Sequence, residues 1–272
     1  MMQLQTQRIG FLGAGAMGEA LAGGLVAAGV PRGQIRLADP EPARRDAVEA
    51  ALGVATSDDN AALVRDSDVV VLAVKPGLVA TVLSQRGVGS TQPLWISIAA
   101  GVSLAKLAAA LPAGARVIRA MPNTPALVRA GATAYAANAA ATPEDRALAH
   151  ALFASAGSAW EAPDESLLDA VTGLSGSGPA YVFVFLEALA DAGVRVGLPR
   201  DVAQQLATQT VLGAAQLARD SGVHPAQLKD RVTSPGGTTI AGLARLEAAG
   251  FRAAVLDAVE AATRRSRELG DG

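Results

Sequence analysis

No cysteine occurs anywhere in the 272 residues. That absence excludes disulfide frameworks, thiolate zinc sites and cysteine nucleophiles, and it leaves the redox compartment unread. Histidine is nearly absent too, with two copies. His150 falls inside a helical pattern and His224 precedes Pro225 at a helix start, so both read as structural and a histidine acid or base is not expected. Aromatic residues make up 3%, which argues against a nucleic-acid surface of stacking rings. Neither sign of charge dominates. Lys+Arg 23 against Asp+Glu 25 leaves a formal charge of −2, so no global field attracts DNA, RNA or anionic lipid. Arg264, Arg265 and Arg267 read as the solvated last turns of a helix, not as a basic patch. The carboxylates are scattered without metal-ligand spacing, and no metal is expected. Long hydrophobic runs are missing as well. The longest uncharged window, between Arg86 and Lys106, is broken by Pro93 and by Gly, Ser, Thr and Gln. A first strand near Arg8 leaves no room before it for a signal peptide. The expectation is a soluble cytoplasmic protein with no membrane or nucleic-acid partner.

What the chain has is alanine and glycine, within a composition that is 50% apolar. Small residues favour closely packed helices and tight turns between strand and helix. Over the first ~160 residues, short apolar runs alternate with helical patterns, as in βαβ units and a parallel sheet. Strands are expected at 8–12, 35–38, 68–74, 94–99, 116–121 and 132–136. Helices are expected at 17–28, 42–52, 78–85, 104–111 and 143–154. The run DVVVLAV at 68–74 is continuously apolar, as a strand covered on both faces would be. Beyond Ala162-Pro163 the strand signals stop. Residues 179–196, 199–219, 225–232 and 251–269 all carry apolar side chains at helical spacing, and three of the four runs open on proline. The reading is therefore an α/β chain: a Rossmann-type domain over 1–163, then an all-helical domain over 164–272.

Gly13-Ala14-Gly15-Ala16-Met17-Gly18 closes the first strand and opens the first helix. In that context a GxGxxG is a dinucleotide-binding turn. Gly13 permits the turn, Gly15 lets the backbone approach a pyrophosphate, and Gly18 allows close helix–strand packing. Asp39 stands at the end of the second strand, 21 positions after Gly18. One reading makes it the acceptor for both ribose hydroxyls of NAD(H), where it would repel a 2′-phosphate. The other makes it a cap ahead of Glu41-Pro42. Arg44 and Arg45 follow, either as compensation for that carboxylate or as a solvated helix face. Ala73-Val74-Lys75-Pro76 and Met121-Pro122-Asn123-Thr124-Pro125 leave strands at the carboxyl edge of the sheet. From spacing alone they are either ligand-facing loops or stiff strand endings.

Ser234-Pro235-Gly236-Gly237-Thr238-Thr239 is the second informative stretch. Paired glycines allow a sharp turn and close approach to a ligand. The flanking hydroxyls and free N–H groups form a concavity suited to a carboxylate and a neighbouring polar atom. A plain turn between helices is the alternative.

These residues together resemble pyrroline-5-carboxylate reductase over essentially the whole chain. The similarity runs through IGFLGAGAMG at 9–18, LAVKPG at 72–77, SIAAGV at 97–102 and RAMPNTP at 119–125. It continues through DAVTG at 169–173, GPAY at 178–181, HPAQLKD at 224–230 and SPGG at 234–237. The first of these motifs is shared by many dehydrogenases; the last group is specific to the family. The resemblance implies a Rossmann domain and a helical domain of the 6-phosphogluconate dehydrogenase C-terminal type. That second domain would interlock with its twin in a homodimer, with assembly into larger rings such as a decamer. The implied reaction is reduction of 1-pyrroline-5-carboxylate to L-proline by a reduced nicotinamide. Cofactor contacts carried over are Leu12, Gly13, Ala14, Gly15, Ala16, Met17, Asn60, Ala73, Val74, Lys75, Pro76, Ile98, Ala99 and Ala100. Substrate contacts carried over are Ser234, Thr238, Thr239 and the backbone of Glu165. NADP(H) is the family's implied cofactor. Asp39, where phosphate-selective relatives commonly carry a small hydroxyl residue, points instead to NAD(H). Arg231 also departs from the neutral residue of some relatives and would offer a phosphate a cation across a subunit interface.

Hydride transfer to an imine needs proximity, a polarised C=N bond and a proton on nitrogen. Because the imine is basic enough to arrive protonated part of the time, few acid/base residues suffice. Thr239 is assigned as the hydrogen-bond partner of the ring nitrogen, with Ser234 and the N–H groups of Gly237 and Thr238 taking the carboxylate. A β-hydroxyacid dehydrogenase would share the two-domain plan but needs a lysine from the first long helix of the second domain. The lysines here are Lys75, Lys106 and Lys229, and 179–196 holds none. A dinucleotide sensor without turnover would have no use for the polar 234–239 loop.

Overall fold

The computed structural model describes residues 4–85, 87–88 and 92–271. Its strands form one eight-stranded sheet in the order β3-β2-β1-β4-β5-β6-β7-β8. These are β1 (Ile9–Leu12), β2 (Ile35–Ala38), β3 (Ala55–Ser57), β4 (Val69–Leu72), β5 (Leu94–Ser97), β6 (Val117–Met121), β7 (Gly131–Ala137) and β8 (Gly157–Glu161). Between them run α1 (Ala16–Ala27), α2 (Pro42–Leu52), α3 (Asn60–Arg65), α4 (Val79–Leu83), α5 (Leu104–Ala110) and α6 (Pro143–Ala154). Alternate residues of each central strand go to opposite faces. Val69 and Val71 join a cluster with Leu21 and Leu25 of α1 and Phe153 of α6. Val70 and Leu72 join another with Leu63 of α3, Val82 of α4 and Leu107 of α5. Covering both faces is why β4 reads as an unbroken apolar run.

Strands expected from the sequence are present with ends within two residues, and two more were not expected. β3 has three residues, none of them buried, and β8 alternates half-buried with exposed positions. Both are sheet edges, where one partner suffices and no apolar run is needed. The sheet is also not wholly parallel, because β6 and β7 pair antiparallel. Only a loop with a 3₁₀ turn, Thr124–Val128, connects them, too short for a crossover helix.

The chain continues into α7 (Leu167–Val171), a π-helical turn (Thr172–Gly176), α8 (Gly178–Arg195), α9 (Arg200–Ser221), α10 (Pro225–Arg231), α11 (Thr238–Ala248) and α12 (Phe251–Asp271). Contacts divide it into two compact units: 1–177 with 261–272, and 178–260. Thus 164–177, including α7, pack with the sheet. Leu168 of α7 lies in a small cluster with Ala134, Ala136 and Ala162. The short α7 and the whole of α11 were not expected as helices. α11 opens on two β-branched threonines behind a glycine N-cap, a start that hides helical propensity.

In the second unit α8 and α9 form a hairpin that turns at Gly197, with φ +104, and Gly193 of α8 sits against Ala203 of α9. Buried side chains there are few and small: Ala190, Ala203 and Ala207. Phe183, Val184, Leu206, Leu212, Val232 and Leu256 stand exposed. The continuous helical run Leu167–Arg195 is long and apolar enough to cross a membrane, with 11% of its apolar window buried.

One charged pair ties α7 to the sheet. Arg119, in the middle of β6 and nearly buried, donates from Nη1 to Glu165 Oε1 at 2.7 Å. The same oxygen accepts the Leu104 N–H at 2.8 Å, so it also satisfies a donor at the start of α5. Removing one partner leaves the other charge uncompensated, and the two removals are unequal because Glu165 reaches water more readily. Glu165→Ala should therefore cost about 1–3 kcal/mol in chemical denaturation. Arg119→Met should cost less. Equal losses, or no loss at Glu165→Ala, would show that the pair does not hold α7.

Candidate active site

The strand order reverses between β1 and β4, and ligands of open α/β sheets bind outside the carboxyl ends of strands at such a point. A cleft of 790 Å³ lies there. Its floor is set by a close backbone approach. Gly13 has φ +104, and a Cβ on it would fall 2.7 Å from the Ala73 carbonyl oxygen and 3.1 Å from Val74 Cγ1. A Cβ on Gly18 would fall 2.6 Å from the Gly13 carbonyl oxygen, so α1 can sit directly on the turn only with glycine there. Gly15 is the N-cap of α1 and offers no side-chain cap. The first turn of α1 therefore presents its free N–H groups and positive dipole end to the cleft, as an anionic phosphate requires.

Of the residues expected at a cofactor, Gly13, Gly15, Ala16, Met17, Asp39, Asn60, Ala73, Val74, Lys75, Ile98 and Ala100 line this cleft. Four others do not form its wall. Leu12 and Ala99 are buried in the core, Ala14 is buried with its N–H turned to Asp39, and Pro76 is exposed in a 3₁₀ turn. The wall also includes Glu41, Arg44, Asp58, Leu78, Thr81, Gln85, Met121 and Pro122. Thr81 and Gln85 reach it from the α4 region, which carries no sequence motif. Met121-Pro122 does carry one, and the structure places that strand ending at the cleft.

Asp39 is 9% exposed, and backbone donors engage both of its oxygens. Oδ2 accepts the Ala14 N–H at 3.0 Å and Oδ1 accepts the Glu41 N–H at 3.0 Å. The carboxylate thus pins the glycine turn to the end of β2 while still facing the cleft. Glu41 in turn engages Arg44, whose Nε donates to Oε2 at 2.7 Å. That hydrogen bond, then the charges of Glu41 and Asp39, raise the Arg44 guanidinium above its ordinary pKa. A Cβ on Gly15 would sit 3.4 Å from Arg44 Nη1, so this cation lies beside the helix N-terminus. Arg45 is directed elsewhere, donating to the Asp39 carbonyl at 2.7 Å. Asn60 donates to Gln85 Oε1 at 2.8 Å and bridges the outer wall. Among the described residues no cluster of three or more His, Asp or Glu side chains could hold a metal.

The 234–239 stretch belongs to the second unit. Gly236 takes φ +68 and Gly237 is the N-cap of α11 without a side-chain cap. A Cβ on Gly237 would lie 2.2 Å from Ser234 Oγ, so the serine hydroxyl curls over the glycine at the helix start. Ser234 and Thr238 are exposed and Thr239 is half-buried. Serine hydroxyl, two threonine hydroxyls and open first-turn N–H groups gather at one helix N-terminus, a set that suits a carboxylate. Glu165 belongs to the first unit, where its side chain is held as described and its carbonyl accepts the Leu168 N–H at 3.0 Å. Arg231 is exposed at the end of α10. Both histidines make local contacts: His224 Nδ1 caps α10 by accepting the Ala226 N–H at 3.2 Å, and His150 Nδ1 lies 3.3 Å from the Tyr135 hydroxyl.

Two family models match. Residues 8–101 match that of NADP oxidoreductase, coenzyme F420-dependent, and residues 165–269 match that of pyrroline-5-carboxylate reductase dimerisation. A pyrroline-5-carboxylate reductase of Synechocystis sp. is 52% identical over 97% of this chain and 98% of its own. The solved structure of a pyrroline-5-carboxylate reductase from Coxiella burnetii superposes with a TM-score of 0.92 at 38% identity, covering 97% of this chain and 98% of that one. That of Plasmodium falciparum pyrroline carboxylate reductase with NADP bound gives 0.87 at 34% identity, covering 98% and 99%. The chain belongs to the pyrroline-5-carboxylate reductase family, oxidoreductases that reduce 1-pyrroline-5-carboxylate to L-proline in the last step of proline synthesis.

Proposed function

We propose that the cleft at the β1/β4 reversal holds the nicotinamide cofactor and that the 234–239 loop holds the imine substrate. The observation that carries the first half is the Gly13–Ala73 approach, a cradle that any Cβ would fill, opening on the uncapped start of α1. Gly15, Ala16 and Met17 take the pyrophosphate, Asp39 and Asn60 the adenosine end, and Ala73, Val74, Lys75, Ile98 and Ala100 the remaining wall. The functional division lies near Pro163, just before the dimerisation match begins at residue 165. The exposed apolar faces of α8, α9 and α12 pair with a second copy in a homodimer, and dimers assemble into a larger ring in the cytoplasm. This pairing covers the apolar run Leu167–Arg195 without a membrane.

A reduced nicotinamide supplies the hydride. The residues of this chain bind, orient and polarise the imine. Ser234 and the N–H groups of Gly237 and Thr238 take its carboxylate. Thr239 hydrogen-bonds the ring nitrogen, and that contact strengthens as the nitrogen becomes an amine. The test is oxidation of NADPH and NADH in the presence of 1-pyrroline-5-carboxylate. Turnover of 3-hydroxyacids with no imine reduction would overturn the assignment.

Asp39 should bias the cofactor toward NADH relative to phosphate-selective relatives. Repulsion of a partly desolvated carboxylate and a 2′-phosphate is worth on the order of 1–3 kcal/mol, roughly a tenfold or larger bias. In Asp39→Ser the lost anchors to Ala14 and Glu41 weaken both cofactors alike, so the ratio of kcat/KM values is the readout. That ratio should move toward NADPH by roughly tenfold. An unchanged ratio would reduce Asp39 to an anchor of the glycine turn.

Thr239→Ala should lower kcat by ~10², the lower end of what a lost transition-state donor costs, because the substrate can arrive already protonated. Ser234→Ala should act mainly on KM, since a carboxylate is held alike in ground and transition states. Wild-type kcat in a folded, cofactor-binding Thr239→Ala protein would leave water as the acid.

A further inference from the structure

The segment that leaves β5 forms one wall of the cleft through Ile98 and Ala100; Ile98 N–H still pairs with the Leu72 carbonyl at 3.1 Å, but beyond it the segment's own ties are poor. Ala99 N–H reaches Ser97 Oγ at 3.3 Å and Val102 N–H reaches the Ala99 carbonyl at 3.5 Å, both long for an N–H···O bond. What backs this wall is the last turn of α12. Residues 261–272 pack with the first unit. A Cβ on Gly101, at φ +74, would lie 3.5 Å from the Leu269 carbonyl oxygen, so the last turn of α12 lies directly behind the wall. Lys106 Nζ donates to the Gly270 carbonyl at 2.8 Å. About one turn back along α12, the buried Ser266 donates to Asp169 Oδ1 of α7 at 2.7 Å and fixes the helix lengthwise.

The position of Lys106 is informative. It is the third residue of α5, where a cation opposes that helix's own dipole. The carbonyls at the end of α12 are orphaned by helix geometry and carry the opposite partial charge. Lys106 therefore satisfies the terminus of one helix from the wrong end of another, and the two ends bracket the 98–101 wall. We propose that the last turn of α12 is a clamp on this wall, that Lys106 is the positioning residue that closes it, and that the clamp sets cofactor affinity. The proposal rests on the cofactor occupying the cleft.

The experiment compares wild type, Lys106→Met, Lys106→Arg, a chain ended after Arg267, and that truncation combined with Lys106→Met. Amide hydrogen exchange at 99–104 is followed without cofactor, and NADPH and NADH dissociation constants are measured by titration. Lys106→Met and the truncation should each speed exchange at 99–104 and weaken cofactor binding by about two- to fivefold. The combination should be no worse than the truncation alone, because Lys106 acts only on the turn that the truncation removes. Lys106→Arg, which keeps a cation in reach of the carbonyl, should lie close to wild type. Unchanged exchange and affinity in Lys106→Met, or effects that multiply in the combination, would overturn the clamp. If the truncated chain does not fold, the two Lys106 variants decide alone. Should wild type bind neither nicotinamide, the cleft assignment falls, while exchange at 99–104 still judges whether the clamp exists.

Discussion

Two backbones meet at the reversal of strand order without a side chain between them. Because Gly13 has no Cβ, the β1–α1 turn lies against the Ala73 carbonyl at the end of β4. Because Gly18 has none, α1 lies against the turn itself. From that contact follow the direction of α1, the exposure of its first N–H groups to the cleft, and the alignment of the β4 and β5 endings as the opposite wall. Asp39 reinforces it from the other side, fastening Ala14 to the end of β2. The cradle is thus made of main chain, and residues around it are free to vary so long as they carry no bulk into it.

The electrostatics at the outer end of the cleft combine opposing demands. Asp39, Glu41 and Asp58 line it with Arg44 as the guanidinium among them, and Glu41 holds that cation. Three carboxylates and one guanidinium thus share that wall. The second unit faces a different constraint. Its helices bury little beyond alanines, so much of their apolar surface stands exposed in the single chain. The dimerisation match over 165–269 puts the oligomer contact on these helices.

Much was legible in the sequence because it depends on local pattern. The continuous run at β4, the glycine turn with its strand and helix, and the proline-led helices all follow from near-neighbour chemistry. So does the family, through motifs spread along the whole chain. The edge strands β3 and β8 were not legible, since an edge needs only one partner and their residues carry no apolar run. α11 was not legible because it opens on two β-branched threonines behind an N-cap glycine with no side-chain cap. What the sequence by itself determined was the glycine turn between the first strand and first helix, the family, and the order of a sheet-bearing part before a helical one. Only the tertiary structure decided which residues share the cleft. It buried Leu12, Ala14 and Ala99, turned Pro76 outward, and brought Thr81 and Gln85 from a motif-free stretch around 79–85 to the wall. It also set the last turn of α12 behind Gly101, some 168 positions away in sequence. The reason is physical: a turn is specified by its own residues, whereas a wall is specified by whatever the sheet and its two helical layers bring alongside.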